Sequence, residues 1–165
     1  MHLNLNMFRA AMLMVSVSLL VLRGGGKPGQ YFRVMPQPGE FFSGRPSITY
    51  CRDLSGPAED VKQKILIAVK NDAKALGLIF EEISGNDHKP KPGNWLVALA
   101  YYYDSQDECD YHWWRKNDDG GWSHKLGSSP ISCLDFADKK ITNPQFCKRG
   151  KYNTFLGYYE VGPAN

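Results

Sequence analysis

Two histidines on neighbouring aromatic runs are the residues best suited to chemistry in this chain. His112 lies in the run 110–115, and His124 lies in the run 122–125. Residues 117–121, which are rich in Asn, Asp and Gly, join the two runs and predict a β-hairpin. Imidazoles exchange protons near neutral pH. The two histidines are therefore the first candidates for acid–base catalysis.

The geometry of the pair depends on the length of the hairpin loop. Side chains alternate along a strand. A loop with an odd number of residues therefore puts His112 and His124 on one face of the sheet, and a loop with an even number puts them on opposite faces. On one face, His112 can act as general base to a nucleophile while His124 orients it. The sequence leaves this register open.

Metal and cofactor sites are not predicted. Asp110, His112 and His124 could supply three zinc ligands, but an Asp-x-His pair on a strand is more often a hydrogen-bonded structural element. The chain has no phosphate loop and no dinucleotide-binding glycine fingerprint.

The four cysteines leave two alternatives open, namely two disulfides or four buried free thiols. They are Cys51, Cys109, Cys133 and Cys147. Cys51 is also weighed as a nucleophile, since a thiolate is favoured at a helix N-terminus or beside a histidine. It precedes Ser55, the predicted helix cap, by four residues. A disulfide is the favoured fate for this cysteine.

The predicted fold class is α+β. Ser55 as cap, Pro57 at the first helical position and Gly77 as terminator bound an amphipathic helix. Alternating and apolar runs predict that this helix packs on an antiparallel sheet, with local strand pairing on its C-terminal side. The predicted strands are 78–83, 95–103, the two hairpin runs, 130–136 and 152–161.

The chain divides into a leader and one domain. Residues 10–22 form a mostly apolar run after Arg9, which is typical of a signal peptide and short for a membrane span. The alternatives are a buried helix or a misassigned start of the coding region. We therefore assign residues 1–29 to a signal-like leader with a Gly-rich linker, residues 30–165 to one domain, and the protein to a secreted or cell-envelope location.

Charge and aromatic content restrict the partners. The net charge of +3 is spread among acids without a basic stripe, so nucleic-acid binding is not predicted. Many aromatic residues fall on the predicted strands, where they form either core or an exposed face that stacks on a matrix glycan or peptide. We expect most of them to be core. The residues concerned are Tyr101, Tyr102, Tyr103, Tyr111, Trp113, Trp114, Trp122, Tyr158 and Tyr159.

One resemblance points to an enzyme. Pro92 and Gly93 entering a strand, followed by His112 and then His124, resemble the layout of NlpC/P60-type and CHAP-type papain-like cysteine hydrolases. The resemblance implies a papain-like fold and a thiol-dependent peptidase or amidase. In it, His112 is the base, His124 the orienting residue and backbone amides the oxyanion donors.

A second resemblance covers about residues 36–161. The strings at 37–39, 110–115, 122–125 and 152–161 are similar to those of small exported proteins, including bacterial hypothetical proteins and shell-matrix-like proteins. In that group an NCYxYA segment precedes the first string, whereas this chain has no cysteine before Cys51. The start is altered, or this copy is inactive, or the group never used a cysteine nucleophile.

Two functions follow. The first is a secreted papain-like amide hydrolase with an incomplete active site, in which Cys51 substitutes for the missing nucleophile. The alternative is a non-catalytic secreted binding or matrix module that uses an aromatic sheet face.

Overall fold

The computed structural model of the chain describes residues 56–103, 109–126 and 129–164. The predicted leader, Cys51 and Ser55 lie outside the described residues, as does the predicted domain boundary at residue 30.

In the described part of the chain, one helix, α1 (Ala58–Ala75), precedes the sheet. Pro57 is its N-cap and not its first helical residue, so the helix begins one residue later than predicted, and the Pro57 carbonyl accepts the first helical hydrogen bond from Val61. Glu59 and Asp60 lie in the first turn, where negative charge is favourable. Gly77 follows the helix with a φ of +67°, a left-handed conformation that suits glycine.

Among the described residues, six antiparallel strands form one open sheet, which confirms the predicted α+β class. The spatial order is β1-β6-β2-β3-β4-β5, so β2 to β5 pair locally while β6 inserts between β1 and β2. The strands are β1 (Leu78–Ile83), β2 (Trp95–Tyr103), β3 (Cys109–Lys116), β4 (Trp122–Lys125), β5 (Ile131–Ser132) and β6 (Thr154–Pro163).

The sheet has apolar clusters on both faces. On the helix face, α1 packs through Val61 and Ile65 against a cluster that includes Val97 and Tyr159. The opposite face, here called the loop face, carries a second cluster that includes Trp114, Trp122, Ile141, Tyr152 and Tyr158. Strands β2, β3 and β6 therefore contribute buried apolar side chains to both faces.

Residues 84–94 form a loop that is fixed to the loop face. Asn86 accepts a hydrogen bond from the indole of Trp122 at 2.7 Å. At the other end, the buried carboxylate of Glu160 on β6 accepts from the Lys91 backbone at 3.0 Å and from the Asn94 amide at 2.6 Å. His88 Nε2 lies 2.5 Å from the second carboxylate oxygen of Glu160. One acidic residue therefore holds three residues of the loop.

The predicted strand 130–136 is wrong beyond Ser132, because β5 contains only Ile131 and Ser132. Asp135 explains the departure. Its carboxylate accepts backbone hydrogen bonds from Ala137, Lys139 and Lys148 at 2.8 to 3.0 Å. These bonds turn the chain away from the sheet and tie two parts of the 133–153 segment together.

Most of the aromatic side chains are core, as expected. Tyr102, Tyr103 and Tyr111 are half-buried, and the other six rings are buried. The described strands therefore do not present the continuous exposed aromatic face that the matrix-module alternative invoked. The buried set is Tyr101, Trp113, Trp114, Trp122, Tyr158 and Tyr159.

Candidate functional site

The hairpin turn puts the two histidines on the loop face. Trp114 on β3 is directly opposite His124 on β4, and Lys116 is opposite Trp122, so residues 117–121 form a loop with an odd number of residues. His112 lies two positions before Trp114 and therefore shares its face. Gly120 provides the positive φ of this turn, at +80°. The structure thus has the same-face geometry.

The two imidazoles are in direct contact. His112 Nε2 lies 2.8 Å from His124 Nδ1, and His124 Nε2 lies 2.8 Å from the carbonyl oxygen of Leu134. Both side chains are buried, and His112 is only 3% exposed. The chain of contacts links β3 to β4 and then to the segment after β5.

Burial holds both imidazoles neutral. It lowers the pKa of His112 well below 6.5, and the neighbouring His124 lowers it further. Burial also lowers the pKa of His124, partly offset by the Leu134 carbonyl and by the charge of Asp135. Each ring therefore carries one proton at neutral pH.

The hydrogen bonds then fix which nitrogen carries each proton. The Leu134 carbonyl can only accept, so His124 must donate from Nε2 and its Nδ1 must be an acceptor. His112 therefore donates from Nε2 to that acceptor. The Nδ1 of neutral His112 is left with a lone pair. This tautomer is the one that a general base acting through Nδ1 requires.

Aromatic side chains enclose the pair. The ring of Tyr152 stacks on His112 with a centroid distance of 4.6 Å, and Trp114 packs edge-on at 4.6 Å. Phe136 packs against His124 with a centroid distance of 5.8 Å. These contacts restrict rotation of both imidazoles and exclude solvent from most of their surface.

Asp110 supports this enclosure but does not join the histidines. Its Oδ2 accepts a hydrogen bond from the Tyr152 hydroxyl at 2.8 Å and pairs with Lys151 at 3.2 Å, while Oδ1 accepts from the Tyr111 backbone. Burial and the hydrogen bond to Asp110 raise the pKa of Tyr152. In the ranges that the structure describes, no three His, Cys, Asp or Glu residues converge as metal ligands.

The described thiols are not activated. Burial raises the pKa of Cys133, and it raises the pKa of Cys147 to about 11. Asn117 donates to the Cys133 sulfur at 3.9 Å, and the Cys147 thiol donates to the Pro144 carbonyl at 3.4 Å. Both are free thiols, so the structure does not support the two-disulfide alternative. Cys51, the candidate nucleophile, lies outside the described residues.

Several residues that shape the site were not predicted as site residues from the sequence. Tyr152, Leu134 and Phe136 reach the histidines only because the 133–153 segment folds over the loop face. Arg149 holds part of this segment by donating to the carbonyls of Pro144, Gln145, Tyr152 and Asn153. No periodic pattern in the sequence marks these contacts.

Comparison with known proteins gives one partial relative. Insoluble matrix shell protein 1 from Ruditapes philippinarum is 39% identical over 68 residues, which cover 41% of this chain and 43% of that protein. Part of this chain therefore resembles a shell matrix protein. The chain spans less than half the length of this relative.

The other comparisons add no relative. No protein-family model matches the chain. No solved structure matches it significantly. The resemblance to shell-matrix-like proteins is thus confirmed for part of the chain, whereas the NlpC/P60 resemblance and the papain-like fold have no support. Among the described residues, no helix has the length and apolarity that crossing a membrane requires.

Proposed function

We propose that this protein is a non-catalytic module of an extracellular matrix. The similarity to an insoluble matrix shell protein is the observation that carries the proposal. The burial of His112 supports it, because a general base that is 3% exposed offers little access to a substrate. The histidine pair then has a structural role, in which it fastens β3 and β4 to the segment after β5.

A surface for matrix binding is available outside the strands. Phe146 is 79% exposed, and Leu134 and Phe136 are each 44% exposed on the same 133–153 segment. Exposed lysines accompany them at positions 139, 140 and 148. We call this set, Leu134, Phe136, Phe146 and the three lysines, the loop patch. Phenyl rings stack on the apolar faces of sugars, and lysines attract acidic groups, so an acidic matrix glycan is its proposed partner.

Retention on an insoluble matrix tests this function. The folded protein is incubated with the washed, demineralised insoluble fraction of Ruditapes philippinarum shell, and the bound amount is measured after salt washes. Phe146→Ala is expected to weaken retention by roughly three- to tenfold, in line with about 1 kcal/mol for a lost ring contact. Ile67→Ala is the matched control, because Ile67 is a 58% exposed apolar residue of α1. It should bind like the unmodified protein.

Enzymatic treatment of the matrix distinguishes a glycan partner from a protein partner. Glycosidase treatment of the insoluble fraction should release the bound protein, and protease treatment should leave the binding sites intact. The reverse pattern would replace the glycan with a protein partner. No retention, or equal retention of all variants, would contradict the loop-patch proposal.

The histidine tautomer favours a second candidate, a thiol-dependent amide hydrolase. The lone pair of His112 Nδ1 would accept the nucleophile's proton, His124 would orient the ring, and backbone amides would receive the oxyanion. Cys51 is the thiol proposed for this role, since Cys133 and Cys147 have raised pKa values. This candidate needs Cys51 at His112 and a path for the substrate.

A thiol-directed covalent probe distinguishes the two candidates. The hydrolase requires rapid labelling of Cys51, with a large loss of rate in His112→Ala. The matrix module predicts that Cys51 reacts no faster than an ordinary thiol and that His112→Ala does not slow it. Unfolded protein supplies the reference rate for each variant.

A further inference from the structure

Two aromatic side chains of the irregular segment 133–153 cover the histidine pair. The Tyr152 ring stacks on His112 at a centroid distance of 4.6 Å, and the Phe136 ring lies 5.8 Å from that of His124. The two covering rings are also neighbours, with centroids 6.4 Å apart. We call Tyr152 and Phe136 the histidine cover. Because Phe136 is 44% exposed, the cover separates the imidazoles from solvent on the loop face.

Asp135 joins the two parts of the chain that carry the histidine cover. Its carboxylate accepts a hydrogen bond from the Lys148 backbone at 3.0 Å, and the Phe136 N–H donates to the Lys148 carbonyl at 3.1 Å. Residues 134–139 and 148–152 are therefore linked and can move as one unit. The two rings of the cover then leave the histidines together.

Ile141 limits how far this unit can move. Its side chain is fully buried in the loop-face cluster. Its N–H donates to the Cys133 carbonyl at 3.0 Å, and its carbonyl accepts from the Trp122 N–H at 3.0 Å. An opening of the cover therefore leaves the middle of the segment attached to the sheet.

Asp110 lies beside both His112 and the cover. It precedes His112 on β3 by two residues, so the two side chains share the loop face. Its Oδ2 accepts a hydrogen bond from the Tyr152 hydroxyl at 2.8 Å and pairs with Lys151 at 3.2 Å. Both of these partners belong to the unit that carries the cover. Lifting that unit would release the carboxylate next to the His112 ring.

A further proton on His112 makes the closed cover unfavourable. His112 Nδ1 holds a free lone pair, so it accepts the first proton added to the two rings. A buried imidazolium has lost its hydration, which is why burial lowers the pKa of His112 well below 6.5. Removal of Tyr152 would expose the ring to water and leave the Asp110 carboxylate beside it. Both changes stabilise the charged imidazole.

The other ionisable groups around the pair do not reverse this balance. Asp135 acts to raise the pKa of His124, but burial outweighs it. Burial raises the pKa of Tyr152, so this phenol stays neutral. Tyr102 on β2 packs under Lys151, with the ammonium 5.4 Å from the ring centroid. The positive charge of Lys151 repels an imidazolium and adds to the tendency to open.

We propose that proton uptake by His112 opens the histidine cover, as the Asp110 carboxylate exchanges Tyr152 and Lys151 for the charged imidazole. The ratio of open to closed molecules should rise by up to about tenfold per pH unit below about pH 6.5 for one proton. The movement displaces Leu134 and Phe136 of the loop patch. Any effect on matrix binding rests on the proposed function, whereas the opening itself does not.

NMR spectroscopy of the folded protein tests the opening without any matrix. Imidazole nitrogen shifts report the protonation of His112, and nuclear Overhauser effects report its contact with Tyr152. The Tyr152–His112 effects should disappear with the same pH midpoint as the protonation. Those between Phe80 and Tyr159, which stack at 4.4 Å on the helix face, should persist. Retention of the Tyr152–His112 contact after protonation, or loss of both contacts together, would overturn the proposal.

Variants test the exchange of partners. Asp110→Asn can still accept from Tyr152 but cannot pair with an imidazolium, so the opening should move to lower pH by roughly one unit. His112→Gln should show no opening in this range. His88→Gln is the matched control, because His88 contacts Glu160 and lies outside the cover. It should open at the same pH as the unmodified protein. If His112→Gln does not fold, Asp110→Asn decides, and an unchanged midpoint in that variant would contradict the exchange.

Retention on the shell fraction at pH 7.5 and 5.5 distinguishes this inference from the proposed function. If both hold, acid should weaken retention of the unmodified protein more than that of His112→Gln. Absence of retention at either pH would count against the matrix function, while the NMR contacts would still decide the opening. Acid-insensitive retention together with loss of the Tyr152–His112 contact would show that the loop patch does not bind the matrix.

Discussion

His112 donates a hydrogen bond from Nε2 to Nδ1 of His124 at 2.8 Å, and the Leu134 carbonyl fixes this direction by accepting from the other nitrogen of His124. The pair is buried where β3, β4 and the segment after β5 meet. Its protonation is therefore linked to folding as well as to any chemistry.

The stability of the protein should fall as the pH decreases through about 6.5 because of this pair. The folded-state pKa values of His112 and His124 are lowered, so the unfolded chain binds protons more readily. Stability is full above the unfolded pKa near 6.5 and decreases as pH falls towards the folded pKa values, by up to about 1.4 kcal/mol per pH unit for each proton.

Urea unfolding measures this effect, and His112→Gln provides the comparison. The variant cannot titrate at position 112, so its stability should change less with pH than that of the unmodified protein. Identical pH dependence in the two proteins would show that His112 is not a buried neutral histidine.

Tyr152 should hold the His112 ring through two separable contacts. Tyr152→Phe removes the hydrogen bond to Asp110 but keeps the stacked ring, and it should cost about 1 kcal/mol of unfolding free energy. Tyr152→Leu also removes the ring and should cost about 2 to 4 kcal/mol. Chemical denaturation checks both values, and the NMR signals of His112 should shift far more in Tyr152→Leu. Equal losses in the two variants would contradict a role for ring stacking.

Glu160 should fasten the 84–94 loop to the sheet. Burial would raise the pKa of Glu160, but hydrogen bonds from Asn94, His88 and the Lys91 backbone outweigh it and lower the pKa. The stability that ionised Glu160 contributes is present at pH values above its ordinary pKa of 4.5. It is lost as the pH falls through the lowered pKa of the folded state.

Glu160→Gln tests this attachment of the 84–94 loop at neutral pH. The substitution removes the charge that pairs with His88, and it should cost roughly 1 to 3 kcal/mol. Hydrogen exchange should become faster in residues 84–94, with little change in α1. Glu82→Gln is the matched control, because Glu82 is an exposed carboxylate whose partner Lys62 lies on α1. Unchanged hydrogen exchange in residues 84–94 of Glu160→Gln would show that Glu160 does not hold this loop.

Gly162→Ala should disturb the same loop at Asn94. A methyl group at position 162 would overlap the side-chain amide of Asn94, which donates to Glu160. We expect a loss of about 1 to 3 kcal/mol, the usual cost of overpacking. Gly85→Ala is the control, since a methyl group there meets no atom within 4 Å. Combining Gly162→Ala with Asn94→Ala should cost less than the sum of the single changes. Additive losses would contradict a direct clash.

The parts of the fold set by local sequence were predictable. The strands β1 and β2 have the predicted bounds, and the turn at residues 117–121 brings the two histidines into one hairpin. The insertion of β6 between β1 and β2 was not predictable, because pairing with Leu78 and Trp95 depends on contacts distant in sequence.

The contacts that enclose the two histidines could also not be predicted from the sequence. Tyr152 and Leu134 reach the histidines through an irregular segment, which Asp135 and Arg149 shape by binding backbone groups. Such polar contacts leave no periodic signal. Alternation alone also could not tell which aromatic rings would be covered, because apolar clusters lie on both faces of this sheet.

The binding isotherm of the folded protein on the washed shell fraction tests the central claim most directly. A matrix module should bind saturably, and Phe146→Ala should shift the midpoint by roughly three- to tenfold while Ile67→Ala leaves it unchanged. Absence of saturable binding by the folded protein would contradict the proposed function.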